Sequence, residues 1–347
     1  MNEQTTRFFA KLMLLIWVSC IPCVLADSSQ TPDLSGNYNV ATLTPLERPE
    51  FFGDNLYLYK WVADLLAFGV EFGRNLMNED SDPERGAPPA GGDGSPGAAG
   101  NVGGYNTFWV DPGDSGFELD GKFRTSIIFS PEDGRQPKLT DVGLDKRKVF
   151  FSAFQANEGK AWWVEEGVQG PYDDPELMTL SDRCLLGFSS TAGPPMLPAL
   201  YNNLKRIVQT PEHVMILSEM VHDARIVRMN SEHLPEEIRK WMGDSVGHWE
   251  GDTLVVDTTN FKARTALYLA SETLHVVERF RRIDEKTLHY SFTVEDPAIW
   301  TGSWSGEYPW PATDDPVYEY ACHEGNYAMG NILRGARILE NEAEGGE

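Results

Sequence analysis

The second half of the chain is a succession of strand-length apolar segments joined by very short links. The stretch Trp249-Glu250-Gly251-Asp252-Thr253-Leu254 contains a Gly-Asp turn between two such segments, which is typical of a β-hairpin. The pattern predicts an antiparallel meander, either closed into a lipocalin-like barrel or folded as a sandwich, with a few short helices. The expected strands are 206–210, 213–221, 224–229, 245–250, 253–261, 274–283 and 287–294.

Weaker signals flank this meander. A first strand is expected at 34–40, a helix or two short helices within 54–77, and a closing helix at 326–338. Trp300–Trp310 has the composition of a loop that covers the mouth of a barrel. Further strands are expected at 105–110, 123–130 and 317–322, a short helix is expected to open at Pro235 and run through Trp241, and 171–203 is expected to be irregular.

The N-terminus has the order of a secretory signal. Arg7 and Lys11 precede an apolar run, and Val24-Leu25-Ala26 supplies a cleavage point. An uncleaved anchor is the alternative. We therefore expect a periplasmic or secreted protein with no stable membrane insertion after cleavage. The expected organisation is a signal peptide at 1–26, a strand, a helical segment and a Gly/Pro-rich loop at 27–104, a β-rich domain at 105–340 and an acidic tail at 341–347.

The chain is strongly acidic, with 53 Asp and Glu against 29 Lys and Arg and a formal net charge of −24. Nucleic-acid binding depends on basic surfaces that neutralise phosphates. The charge therefore argues against a nucleic-acid partner.

Four cysteines are present, and two of them, Cys20 and Cys23, lie inside the predicted signal. Cys184 and Cys322 remain, and in an oxidising compartment we expect them to form a disulfide. The loop that this bridge closes is long, so the chain-entropy model predicts a stabilisation of roughly 4 kcal/mol. The alternative is a nucleophilic thiol beside His323, but neighbours on a strand point to opposite faces.

Three motif matches lack the context that their chemistry needs. The G-x-S-x-G match at 243–247 is expected to follow a helix and precede a strand, the reverse of a nucleophile elbow. The G-x-G-x-x-G match at 92–97 lies in low-complexity sequence, and no second histidine follows His323 at zinc-protease spacing. We expect no cofactor and no metal; a dispersed metal site built from His222, His233 and His323 is the alternative.

Two groups of residues have the composition of a site. Around the link between two apolar strands lie Glu219, His222, Asp223 and Arg225, and a histidine with a carboxylate and a cation nearby suits acid–base chemistry. The competing interpretation is a solvated turn flanked by charges.

The second group lies on the strand around Glu278. Alternation places Glu278 on the same face as Val276 and Phe280, so it faces the interior if that face is inward, opposite Tyr290 and Phe292. A buried acid beside aromatic rings has a raised pKa, which is a mark of functional sites. The competing interpretation is that Glu278 pairs with an arginine at the barrel rim.

Three strings resemble a widespread family of secreted, mostly uncharacterised bacterial proteins: 249–258 (WEGDTLVVDT), 278–280 (ERF) and 319–327 (EYACHEGNY). The resemblance covers most of the mature chain and implies export and a β-rich fold. It supplies no catalytic residue.

The function expected from these residues is binding of a small, partly apolar organic molecule, with cofactor-free hydrolysis, isomerisation or elimination as its enzymatic form. In that form, the acid–base groups are His222, Asp223, Glu278 and His323. Arg225 or Arg279 would hold an anionic part of the substrate, and further ligand contacts are expected from Trp249, Tyr290, Glu324 and Tyr327. The alternative is a non-catalytic envelope or accessory protein that binds a partner through its aromatic surface.

Overall fold

A computed structural model describes residues 31–80, 84, 110–152 and 159–345. The described residues from Asp33 onward belong to one compact unit. The predicted signal peptide at 1–26, nearly all of the Gly/Pro-rich loop at 82–104 and the strand predicted at 105–110, except Val110, lie outside the described residues.

The fold is mainly β and is built on one ten-stranded curled sheet. In spatial order its strands are β1 (Gly36–Asn39), β6 (Leu204–Gln209), β7 (His213–Ser218), β8 (Ala224–Met229), β9 (Asp244–Glu250), β10 (Thr253–Thr259), β11 (His275–Asp284), β12 (Thr287–Glu295), β13 (Trp304–Pro311) and β5 (Ile128–Ser130). A second sheet has the order β2 (Tyr57–Leu58), β4 (Lys122–Arg124), β3 (Glu118–Leu119). The predicted antiparallel meander is therefore confirmed from β6 to β8 and from β9 to β13, but not between β8 and β9, which are parallel.

The pairing does not close the sheet into a barrel. Strand β1 reaches the end of β13 through a single bridge between Tyr38 and Ala312, with the Thr313 N–H donating to the Asn37 carbonyl oxygen at 2.9 Å. Because β1 is only four residues long and also pairs with β6, the two strands form no continuous ladder. The sheet is curled and open.

All neighbouring strands of the large sheet are antiparallel except β8 and β9, which are parallel. The connection between them must return along the sheet, and it does so as turns rather than as the predicted Pro235–Trp241 helix. The polar groups that a helix would pair internally are used elsewhere: the Asn260 side chain donates to the Leu234 carbonyl at 2.8 Å, and the Lys240 N–H donates to the Asn260 carbonyl at 3.0 Å.

One predicted strand is wrong in part and another is wrong altogether. Phe123–Ser130 is divided between β4 and β5, which belong to different sheets, because the Thr125 N–H bonds Leu56 and the Ile127 N–H bonds Pro45. Residues 317–322 form no strand; they cross the β7–β8 link and bond it through isolated contacts.

The predicted loop Trp300–Trp310 is also wrong, since most of it is strand β13. Trp304, Tyr308 and Trp310 alternate along this strand and are at most 1% exposed. They fill the core instead of covering an opening.

Among the described residues, four α-helices accompany the sheets: α1 (Lys60–Met77), α2 (Asp141–Ser152), α3 (Trp162–Glu166) and α4 (Tyr327–Ala343). The predictions of α1 and α4 are confirmed, although α1 begins later because Tyr57–Leu58 pairs with β4, and α4 runs into the predicted acidic tail. Within the described residues, no helix combines the length and the apolar character that a membrane crossing requires.

Candidate functional site

The inner face of the sheet carries a buried ion pair between β8 and β11. Glu278 is 0% exposed and Arg225 is 4% exposed. Both carboxylate oxygens of Glu278 accept from the guanidinium, with Arg225 Nη2 lying 2.9 Å from Oε1. The prediction that Glu278 faces inward is confirmed, and its arginine partner also lies on the inner face.

Tyr290 on β12 completes this network. Its hydroxyl donates to Glu278 Oε1 at 2.7 Å and accepts from the Met196 N–H at 2.9 Å, while the Tyr308 hydroxyl donates to the Met196 carbonyl at 2.9 Å. Burial, reinforced by the charge of Glu278, raises the pKa of Tyr290 well above its ordinary value. The irregular Pro-rich segment is thus anchored inside the curl of the sheet.

Met196 is 1% exposed and belongs to the main core cluster, as does Leu197. The space in front of Glu278 is therefore occupied by protein, and both of its oxygens are already bonded. This geometry suits an interior structural network rather than a group that exchanges protons with a substrate.

A surface pocket of about 520 Å³ lies instead around the disulfide. Cys184 and Cys322 are bonded, with their Cα atoms 5.8 Å apart, as the cysteine count predicted. Three separate parts of the chain meet at this bridge. The pocket is lined by Ser181, Asp182, Cys184, Asn202, Glu319, Tyr320, Ala321, Cys322, Gly325 and Asn326.

Asn326 connects two sides of the pocket. Its amide nitrogen donates to the Asp182 carbonyl at 2.7 Å, and its side-chain oxygen accepts from the Met329 N–H at 3.3 Å as the N-cap of α4. Asn202, another lining residue, has a left-handed backbone with φ of 53°, a conformation that asparagine tolerates better than most residues. The pocket is therefore held together by a hydrogen bond between distant segments as well as by the disulfide.

The β7–β8 link forms hydrogen bonds with the backbone of 318–320, a segment that contributes Glu319 and Tyr320 to the pocket. His222 Nδ1 lies 3.0 Å from the Tyr320 carbonyl oxygen, and Glu219 Oε1 accepts from the Tyr318 N–H at 3.0 Å. Asp223 Oδ2 accepts from the Gly187 N–H at 3.1 Å. Burial raises the pKa of Asp223 to about 6, although this hydrogen bond opposes the rise.

Sequence reasoning missed Lys205, which is 0% exposed and donates to Ser218 Oγ at 2.7 Å. Burial lowers the pKa of its amine to about 7, against the opposing charges of Glu219 and Asp223. The available signal was alternation, since Lys205 shares the face of the buried Ile207.

The structure does not bring His222, Glu278 and His323 into one enclosed cavity, because Glu278 is in the core while both histidines are exposed. His323, Glu324 and Tyr327 are exposed around the start of α4 and are not among the lining residues, although their neighbours Cys322 and Asn326 are.

The remaining predicted contacts lie elsewhere on the sheet. Arg279 is half-exposed on the outer face and pairs with Glu250. Trp249 is half-buried and packs against the main core. Neither belongs to the pocket.

A histidine–carboxylate chain on the outer face was also missed. His233 lies 3.3 Å from Asp244 and 3.0 Å from Asp257, and His275 lies 3.1 Å from the second oxygen of Asp257. Burial alone would raise the pKa of Asp244, but hydrogen bonds from Lys240, the Leu234 N–H and His233 lower it to about 2.

In the described ranges, no group of three or more His, Cys, Asp or Glu side chains is placed to hold a metal ion. Neither the histidine–carboxylate chain nor the dispersed set His222, His233 and His323 forms such a group.

Comparison with known proteins adds no assignment. No protein-family model matches the chain. No curated protein matches it either.

Proposed function

We propose that this is an exported protein that binds a small, partly apolar organic molecule in the pocket around Cys184–Cys322. The observation that carries the proposal is the pocket itself, a surface depression of about 520 Å³ that is largely open to solvent and has room for a small organic ligand. Its lining residues are of mixed character: they include Asp182, Glu319, two asparagines, Tyr320, Ala321 and both cysteines of the disulfide. Such a mixture can hold an apolar body while orienting polar groups.

The walls of the pocket are fixed before a ligand arrives. The disulfide, the Asn326–Asp182 bond and the contacts of His222 and Glu219 with residues 318–320 each connect different segments. A preformed site loses little conformational freedom on binding, which favours affinity.

The proposal concerns binding without a chemical step. Glu278 is committed to Arg225 and Tyr290, so the predicted acid–base set is divided between core and surface. Export is supported by the disulfide, which is typical of oxidising compartments.

The test compares two tryptophan substitutions. Ala321→Trp places a large ring in the pocket, whereas Ala328→Trp places the same ring at an exposed position of α4 outside the lining. A collection of small organic molecules would be screened by thermal shift against the mature protein, followed by calorimetric titration. We expect ligands to bind the wild type and Ala328→Trp but to lose at least tenfold in affinity for Ala321→Trp. Equal affinity for all three proteins would contradict the proposal.

A further inference from the structure

Four large apolar side chains of α1 form an exposed stripe along the helix. Trp61, Leu65, Phe68 and Phe72 follow one another at intervals of four, three and four residues, which places them on one face, here called the apolar seam. Each of the four residues is between 60% and 67% exposed. The Phe68 and Phe72 rings stack with their centroids 6.4 Å apart, yet both remain open to solvent.

The side of α1 opposite the seam faces the rest of the protein. An α-helix turns by about 100° per residue, so residues two positions apart point in nearly opposite directions. Ala63 in the first turn is the buried residue of α1, and Arg74 in the last turn donates to the Gly113 carbonyl at 3.1 Å and pairs with Asp114 at 2.9 Å. Both Ala63 and Arg74 lie two positions from a residue of the seam. The helix is thus attached through its small and polar side, whereas an amphipathic helix of a soluble protein usually turns its apolar side to the core.

The area of the seam is sufficient for a protein interface. An aromatic side chain has about 150–250 Å² to bury, so at these exposed fractions the three rings and Leu65 leave roughly 500 Å² of apolar surface on each copy of the chain. Two copies joined through the seam would bury on the order of 1,000 Å², which is the lower limit for a specific interface before surrounding residues are counted. Contiguous exposed apolar surface of this extent on one molecule often marks an interaction site.

The charge of α1 favours a protein partner over a lipid surface. The helix contains two bases and two acids and is therefore neutral, whereas the whole chain carries −24. Lys60 pairs with Asp64 at 2.6 Å, and Arg74 pairs with Asp114 outside the helix. Helices that lie in a membrane interface are rich in Lys and Arg on their polar face, and α1 has no such excess. The seam is thus a neutral region through which two acidic molecules can approach with little local repulsion.

We infer that the apolar seam is the interface of a homodimer. Its spacing of four, three and four residues is that of the contact positions of a coiled coil, in which a helix packs against an equivalent helix. Most soluble homo-oligomers are two-fold dimers in which one surface patch meets the same patch of the partner. The inference goes beyond ligand binding and does not depend on the pocket.

The experiment measures association of the full mature protein by sedimentation velocity at concentrations up to about 100 µM. We expect a dimer that dissociates on dilution. Leu65→Glu places a charge in the seam and is expected to weaken dimerisation at least tenfold. The matched control is Ile338→Glu, which changes an aliphatic residue of α4 that is 52% exposed and is expected to dimerise like the wild type. Circular dichroism would verify the fold of each variant.

A second measurement locates the contact directly. In the mature protein Cys184 and Cys322 are joined, so Leu65→Cys adds a single free thiol in the seam. Mild oxidation is expected to crosslink two copies of Leu65→Cys and not two copies of Ile338→Cys.

Three outcomes would overturn the inference. The first is a wild type that stays monomeric at every concentration. The second is a dimer that Leu65→Glu leaves unchanged, because the interface then lies elsewhere. The third is a monomer that sediments with vesicles of phosphatidylcholine and loses this binding in Leu65→Glu, because the seam then binds lipid.

Discussion

Glu278 and Arg279 are sequence neighbours that each form an arginine–glutamate pair, yet their surroundings are opposite. The Arg225–Glu278 side chains are 3% and 0% exposed, whereas those of Arg279 and Glu250 are 43% and 49% exposed. Solvent screens the outer pair and not the inner one. Strand β11 therefore contributes to two ion pairs at adjacent positions. Loss of a partner should be costly in the buried pair and nearly free of cost in the exposed one.

The first prediction concerns the inner pair. Replacing Glu278 by Leu leaves the Arg225 charge buried without a counterion, and we expect a loss of about 3–5 kcal/mol in the free energy of unfolding. Chemical denaturation of the purified protein would measure the loss. Arg279→Ala, which opens the exposed pair, is expected to change stability little. A double substitution of Glu278→Leu with Arg225→Met should recover part of the loss, and equal effects of the two single substitutions would contradict this account.

The second prediction follows from Lys205. Its pKa in the folded protein, about 7, lies below the ordinary 10.5 because burial disfavours the charged amine. Between these values the unfolded chain binds more protons than the folded one, so stability rises with pH across that window. We expect the free energy of unfolding of the wild type, relative to Lys205→Met, to increase from pH 7 towards pH 10 by at most about 1.4 kcal/mol per unit. Denaturation curves of both proteins at several pH values would measure it, and a pH-independent difference would refute it.

At the scale of elements, β13 shows how closely the inner face is packed. Every second residue of this strand faces inward, and these positions hold Trp304, Gly306, Tyr308 and Trp310. A methyl group added at Gly306 would lie 2.4 Å from the Phe292 ring, which is 2% exposed and has neighbours on all sides. The glycine is therefore a space requirement of the aromatic core rather than a turn signal.

The third prediction tests this requirement with two glycines of one segment. Gly306→Ala is expected to destabilise the protein by about 1–3 kcal/mol through overpacking. Gly302→Ala, whose added carbon would have its nearest contact at 3.9 Å, is expected to be near neutral. Thermal and chemical denaturation would measure the stability of both variants relative to the wild type. An unchanged stability of Gly306→Ala would contradict the prediction and show that the Phe292 ring can move.

At the scale of the whole molecule, the disulfide joins residues 138 positions apart. The fourth prediction is that Cys184→Ser with Cys322→Ser lowers the free energy of unfolding by about 4 kcal/mol, because the unfolded chain regains the freedom of a long loop. Denaturation of the variant and of the wild type with and without a reductant would measure this. Reductant should affect only the wild type, and a stability unchanged by the substitutions would contradict the prediction.

Local patterns predicted much of this molecule, and contacts between distant segments account for what they missed. The Gly251–Asp252 hairpin, the inward direction of Glu278 and the cysteine pair follow from nearby residues or from counting. The alternation of Trp304 to Trp310 was readable too, but Pro309 and Pro311 argued against a strand. The pocket was beyond local reasoning, since residues 181–184, 202 and 319–326 meet only in the folded chain.

The two edges of the large sheet have a consequence for the order of folding. Its edge strands, β1 and β5, come from the first 130 residues, but their partners β6 and β13 begin at Leu204 and Trp304. In a chain that emerges from its N-terminus, β1 therefore stays unpaired until β6 has been made, and β5 stays unpaired until β13, the last strand of the sheet, has been made. The run from β9 to β13, whose neighbours in space are also neighbours in sequence, is the natural nucleus, and we expect the N-terminal strands to join it late. The edge formed by β5 is thus the last part of the large sheet that can be completed during synthesis.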